Sequence, residues 1–327
     1  MQMKLQLGVF LIACLLSTVY SEGSVEFCYN LPACNASTWA TLAPHDCNGT
    51  NQSPINILTA GVMPDSNLTA FTFRGFNDSS TLINILNTGK AVQIELDSEK
   101  MSVSGGGLQS QYNSTQFHFH WGNGTSVNGS EHAVDGRTYA MEMHIVNLRT
   151  DLTAAAALND SKGFAVLAFF IEATNDSGIP ESWKNLTSFL SNITNIGATM
   201  DIMNSLTVNS LIQGVDLNNY YRYQGSLTTP ACKESVVWTV FKDPIKVSND
   251  LINLFSNTVR INTTADPFIT NNNRPFQALN TRTVTSQLKV ESTSQPTISS
   301  TTSAASTLHH TLLSSIALLY YVLFRCL

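Results

Sequence analysis

Apolar and polar side chains alternate residue by residue in the run Phe117-His118-Phe119-His120-Trp121-Gly122, and the run Glu142-Met143-His144-Ile145-Val146 does the same as far as Ile145. A period of two belongs to a pleated strand and not to a helix, so both runs are expected in a sheet with one face in a core. Phe117, Phe119 and Trp121 then share one face, while His118 and His120 share the other. On the second strand Ala140, Glu142, His144 and Val146 line up together. If the strands pair, three imidazoles converge beside one carboxylate. The bland alternative is a pair of half-exposed strands with stray histidines. Packing alone, however, would not ask for Gln116 two residues before His118, or for Glu142 two before His144, each on the face of its imidazole. Zinc held by three neutral imidazoles keeps a fourth tetrahedral position for water, which is the arrangement of a catalytic site. The pattern points to a hydrolytic or hydration reaction.

Further period-two runs at 91–96, 139–146 and 236–241 fall between Asn-, Gly- and Ser-rich breaks, the pattern of a β-dominated domain. Residues 163–171 are continuously apolar and fit a central strand buried on both faces, although length alone also allows a short helix. Residues 182–189 and 248–255 are expected to form short helices. No linker interrupts 27–282, so one domain is expected there.

Six blocks carry a resemblance: Gln52-Ser53-Pro54-Ile55-Asn56-Ile57, Gln116 through Gly122, Ser130-Glu131-His132, Glu142-Met143-His144, Ser226-Leu227-Thr228-Thr229-Pro230 and Asn273-Arg274-Pro275-Phe276-Gln277. In order and spacing they resemble the alpha-class carbonic anhydrases. Within that family, Cys28-Tyr29, the run 141–146 and Thr228-Thr229-Pro230-Ala231-Cys232 resemble the extracellular, membrane-anchored branch. The resemblance implies a mainly β (α+β) single domain over 22–283: a large, twisted, mostly antiparallel sheet, short peripheral helices, and zinc in a central conical cavity. The implied activity is reversible hydration of carbon dioxide to bicarbonate and a proton by a hydroxide generated at the zinc.

The same resemblance implies roles residue by residue. His118, His120 and His144 match the zinc ligands, oriented respectively by Gln116, the carbonyl of Asn272, and Glu142. Thr228 matches the hydroxyl that directs the nucleophile by donating to Glu131. Thr229 would help bind bicarbonate, and Val146, Val166, Leu227, Val236 and Trp238 match an apolar wall for carbon dioxide. Tyr29 matches a position of the water network. Lys90 stands where the fastest members carry a proton-shuttling histidine. A lysine ammonium is already protonated at neutral pH, so slowed proton export is expected. His132 is expected in buried hydrogen bonding, and His45, His309 and His310 receive no catalytic role. Weak esterase activity would follow from the same nucleophile.

The ends suggest export. Residues 1–21 carry Lys4 and an apolar run too short to span a bilayer, and they read as a signal peptide. Residues 284–305 are rich in Ser and Thr and read as a solvated stalk. Residues 306–327 read as a glycolipid-anchor signal that is removed, because the apolar tail from 312 falls short of the roughly 20 residues of a spanning helix. Outside these ends lie Cys28, Cys34, Cys47 and Cys232, an even number that argues for two disulfides with three possible pairings. The resemblance implies Cys28 with Cys34 and Cys47 with Cys232. Sequons at Asn35, Asn48, Asn51, Asn67, Asn77, Asn113, Asn123, Asn128, Asn159, Asn175, Asn185, Asn192 and Asn262 collectively suggest a glycosylated ectodomain. Only 12% of residues are charged and the net charge is −6, so no basic field attracts nucleic acid. The expected place is the outer face of the plasma membrane, with a bicarbonate transporter as a partner. A non-catalytic surface recognition module on the same fold is the alternative, which loss of a ligand histidine would favour.

Overall fold

A computed structural model describes residues 26–288. The leader expected at 1–21, the anchor signal expected at 306–327 and the part of the expected stalk from 289 onward lie outside the described residues. A 12-stranded sheet organises the domain. Its spine comprises β1 (Leu82–Asn87), β2 (Val92–Leu96), β3 (Tyr112–Trp121), β4 (Met141–Arg149), β5 (Phe164–Thr174), β6 (Tyr220–Gly225) and β7 (Val236–Ser248), with β7 lying between β5 and β6. Neighbours along this spine run antiparallel except β5 and β7, which are parallel. The sheet is therefore mixed.

The alternation seen in the sequence divides two cores. Phe117, Phe119 and Trp121 of β3, Met141, Met143 and Ile145 of β4, and Leu167 and Phe169 of β5 face one core. Helices α1 (Glu181–Ser188) and α2 (Asn249–Thr258) cover that core with Trp183 and Leu186, and with Leu251, Ile252 and Phe255. Each large side chain fully buried there contributes about 1.5–3 kcal/mol. The indole N–H groups of Trp121 and Trp183 donate to the carbonyls of Ile269 and Leu211 at 2.8 and 2.9 Å, so burial leaves neither donor stranded. The opposite face gathers Val166, Ala168 and Phe170 of β5, Val236, Trp238 and Val240 of β7, and Tyr221 and Tyr223 of β6. The continuous apolar run is thus a strand, since β5 has a paired strand on both edges and a core on both faces.

The sheet takes in residues that the sequence assigned to the stalk. Val284 is 3% exposed, and Thr285–Ser286 pairs with both β6 and Met63–Pro64. Ser and Thr read as solvated spacer in isolation, but here Ser286 donates to the carbonyl of Tyr220 at 3.0 Å and joins the sheet. The 283/284 boundary therefore moves outward, and 284–286 belong to the folded unit.

At the start of α2, hydrogen bonds from the Ser248 hydroxyl and the Gly178 N–H hold the Asp250 carboxyl down to about 2. A depressed carboxyl stabilises the fold above its ordinary value near 4 and loses that contribution as pH falls toward 2. Asp250→Asn is expected to lower Tm at pH 6, and the two melting curves should converge as pH approaches 2. A constant gap across that range would show that charge is not involved.

Candidate metal centre

The β3–β4 register sets His118 opposite His144 and His120 opposite Glu142. Antiparallel pairing with the same alternation places all four on the face away from the helices. Ala168 of β5 stands opposite His144, and the Trp238 ring approaches that imidazole edge-on with centroids 4.9 Å apart. One nitrogen from each of the three rings lies within 4.8 Å of the others. Each ring is held from behind. His118 Nδ1 is 2.9 Å from Gln116 Oε1, His120 Nδ1 is 2.8 Å from the Asn272 carbonyl, and His144 Nε2 is 2.7 Å from Glu142 Oε1. Such contacts fix tautomer and ring orientation, so the opposite nitrogens point inward. His120 Nε2 is buried without a hydrogen-bond partner.

Electrostatics favours the ligating form. Desolvation, reinforced by repulsion from His120 and His144, holds His118 well below its ordinary pKa. Burial lowers His120 as well, against the opposing pull of Glu131. Imidazoles kept neutral are the form that binds a metal. Burial would raise the Glu142 carboxyl, but the charge and hydrogen bond of His132, with the hydrogen bond of His144, hold it far below the carboxylate range. The His132 N–H donates to Glu142 Oε2 at 2.7 Å, and its ring lies 2.6 Å from Oε1, so Glu142 is clamped on two sides.

Glu131 is fully buried, and its Oε1 accepts the Arg274 N–H at 2.8 Å. Its Oε2 has no hydrogen-bond partner and lies 3.4 Å from His120 Nε2 and 3.9 Å from His144 Nδ1. Thr228 is 5% exposed. The hydrogen bond from Thr228 to Glu131 implied by the resemblance is not among those of the described residues. The carboxylate oxygen turns instead toward the imidazole nitrogens. Tyr29 packs edge-on against Trp39, and desolvation, with the negative Glu131 adding to it, pushes its hydroxyl well above its ordinary pKa while Arg274 opposes. Lys90 is half-buried, its ammonium 4.8 Å from the Phe27 ring centroid, and its carbonyl accepts the Asn272 side-chain amide at 2.9 Å.

The sequence profile of eukaryotic-type carbonic anhydrases matches residues 34–288. The chain belongs to that family. It is 38% identical to carbonic anhydrase 4 of Oryctolagus cuniculus over 80% of this chain and 83% of that protein. It is 35% identical to carbonic anhydrase 6 of Bos taurus over 82% of each chain. With carbonic anhydrase 12 of Homo sapiens the identity is 37%, over 65% of this chain and 59% of that protein. Carbonic anhydrases use zinc, and the residues fit it: three imidazoles converge, each fixed from behind, with an orphaned nitrogen among them.

In this carbonic anhydrase the residues matched to the apolar wall come together. Val166, Val236 and Trp238 share one core, with Val146 and Leu227 packed against it. Val166 stands opposite Val146 on one side and Trp238 on the other. Thr229 is half-buried, and its carbonyl accepts the Cys232 N–H at 2.7 Å. Disulfides join Cys28 to Cys34 and Cys47 to Cys232. Among the sequons, Asn35, Asn51, Asn113 and Asn185 are half-buried and the others are exposed. His45 is exposed, and His309 and His310 lie outside the described residues.

Sequence reasoning passed over Arg274 and Tyr223. Arg274, 3% exposed, donates to Gln52 Oε1 and the Ser53 carbonyl at 2.9 and 2.8 Å while its N–H holds Glu131. The Tyr223 hydroxyl lies 2.6 Å from His132 Nε2 and donates to Ser53 Oγ at 2.9 Å. Arg274, His132 and Ser53 all stand in the blocks that carry the resemblance, and the charged Arg274 inside an otherwise uncharged block was the available signal.

Proposed function

We propose that this chain hydrates carbon dioxide reversibly at the outer face of the plasma membrane, with slow proton export. The observation that carries the proposal is the convergence of His118, His120 and His144, each backed by an acceptor and leaving the buried His120 Nε2 unpartnered. Zinc held there supplies Lewis acidity that brings the pKa of a water to about 7, a value established for carbonic anhydrases themselves. The chain does the rest. The free Oε2 of Glu131, fixed by Arg274, is the acceptor to which the Thr228 hydroxyl donates in this proposal, so that the Thr228 oxygen is left to accept a hydrogen bond from the attacking nucleophile and orient it. Val146, Val166, Leu227, Val236 and Trp238 form a wall without charge, suited to a substrate that has none. Thr229 holds bicarbonate.

The proton leaves along a path containing Tyr29 and Lys90. Lysine side chains keep their proton at neutral pH, whereas an imidazole exchanges it. The Lys90 ammonium packs over the Phe27 ring, 4.8 Å from its centroid. Leader, two disulfides and anchor signal together support the extracellular, lipid-anchored placement, with a bicarbonate transporter as partner. The test is stopped-flow hydration on the zinc-loaded protein with imidazole buffer varied. Turnover should rise steeply with buffer, and Lys90→His should raise it several-fold when buffer is scarce. A folded, zinc-loaded protein without turnover would overturn the proposal in favour of a recognition module, and an unchanged Lys90→His would reject slow export alone.

A further inference from the structure

We propose that the sheet face turned away from the histidines carries a site for a small carboxylate-type oxyanion, built on Arg222 and Lys162. Both line a cavity of about 230 Å³, along with Asp65, Tyr112 and Gln224. Arg222 lies in β6 opposite Thr239 of β7, while its neighbours Tyr221 and Tyr223 face the core that contains Trp238. Alternation therefore sends the guanidinium to the other side of the sheet from the metal centre.

Arg222 is only 9% exposed. Its Nη2 donates to the Gly106 carbonyl at 2.8 Å and to Thr239 Oγ1 at 3.0 Å, and its Nε donates to Thr239 Oγ1 at 3.3 Å. Among the described residues, Nη1 has no acceptor and no carboxylate forms a salt bridge with Arg222 or Lys162. Neutral acceptors do not offset the desolvation of a buried guanidinium as an anion does. Burial accordingly holds Arg222 below the ordinary arginine pKa, although Tyr220, Tyr112 and Asp65 pull the other way. Lys162 donates to Gln109 Oε1 at 2.9 Å, one of the three bonds an ammonium offers. Asp65 shares the cavity, but its Oδ1 accepts the Asn67 N–H and side-chain amide at 2.9 and 3.0 Å. Within the cavity lining two cations face the single carboxylate of Asp65, and Asp160, whose charge also reaches Lys162, is held by Arg149.

The occupant is set by that geometry. The two N–H groups of Nη1 remain to donate to an oxyanion, and the Lys162 ammonium adds a point charge that is indifferent to orientation. With about 30 Å³ per water, the cavity holds an anion of roughly four to six heavy atoms and some solvent. Acetate and bicarbonate both meet those limits, and bicarbonate is the oxyanion this family produces.

The zinc-loaded protein, labelled with ¹⁵N-arginine, would be titrated with sodium acetate and separately with sodium bicarbonate at constant ionic strength. The Arg222 Nε–H resonance, assigned through its contact with Thr239, should shift and saturate in the millimolar range. Lys162→Gln should weaken the midpoint at least threefold while leaving carbon dioxide hydration unchanged. Saturation by both anions supports the site, and saturation by bicarbonate alone supports it while narrowing the ligand to the enzyme's own product. A shift that stays linear, or a midpoint indifferent to Lys162→Gln, would overturn the proposal.

Discussion

His144→Ala is expected to lose bound zinc and to lower carbon dioxide turnover by at least two orders of magnitude while the protein stays folded. The imidazole is 1% exposed and supplies one of the three converging nitrogens that could hold the metal, so its loss leaves two. Removing a residue that only orients a ligand typically costs 10–100-fold in metal affinity or activity, and loss of a ligand costs more. Gln116→Ala, which removes the acceptor behind His118, serves as the graded comparison and should fall within that 10–100-fold range. Because bound metal stabilises only the native state, added zinc should raise the Tm of the parent protein far more than that of His144→Ala. Zinc content, turnover and Tm measured on the same samples decide the matter. One zinc per chain with retained turnover in His144→Ala would place the metal elsewhere.

The parts of this centre legible in the sequence are those whose geometry is local. His118, His120, Gln116 and Glu142 declare their faces by period-two alternation, because strand pleating fixes side-chain direction within two residues. Both helices are local patterns too, whereas the apolar run of β5 left strand and short helix open until its pairing on both edges was seen. What closes the site is not local. Arg274 reaches Glu131 across 143 residues and Gln52 across 222, and Tyr223 meets Ser53 across 170. No periodicity in the intervening chain reports those contacts. Spacing alone likewise left three pairings open for the four cysteines, and only family resemblance chose among them. Thr285–Ser286 fails in the opposite direction, since its composition says spacer while the free edge of β6 and the Tyr220 carbonyl offer it partners.

Replacing Cys47 and Cys232 together with serine is expected to produce the largest loss of stability. Their disulfide spans a sequence separation of 185, against 6 for Cys28 and Cys34. Constraint of the unfolded chain grows with the logarithm of that separation, giving about 5 kcal/mol for the long loop and about 2 for the short one on the chain-entropy estimate. Measured effects usually fall below that estimate, so a loss of about 3 kcal/mol and a Tm lowered by roughly 6 °C is the expectation for the long loop. Activity should suffer separately. The Cys232 N–H donates to the Thr229 carbonyl at 2.7 Å and its own carbonyl accepts the Gln52 side chain at 3.2 Å. The Cys47 carbonyl in turn accepts Arg274 Nη2 at 3.4 Å, so one covalent bond ties the Thr228–Thr229 loop to the arginine that holds Glu131. Turnover measured well below Tm should therefore drop in the Cys47/Cys232 double replacement and remain near parental when Cys28 and Cys34 are replaced. Equal Tm losses for the two pairs would refute the loop-length argument. A large Tm loss with full turnover at low temperature would instead show that the Thr228–Thr229 loop holds its position without the covalent tie.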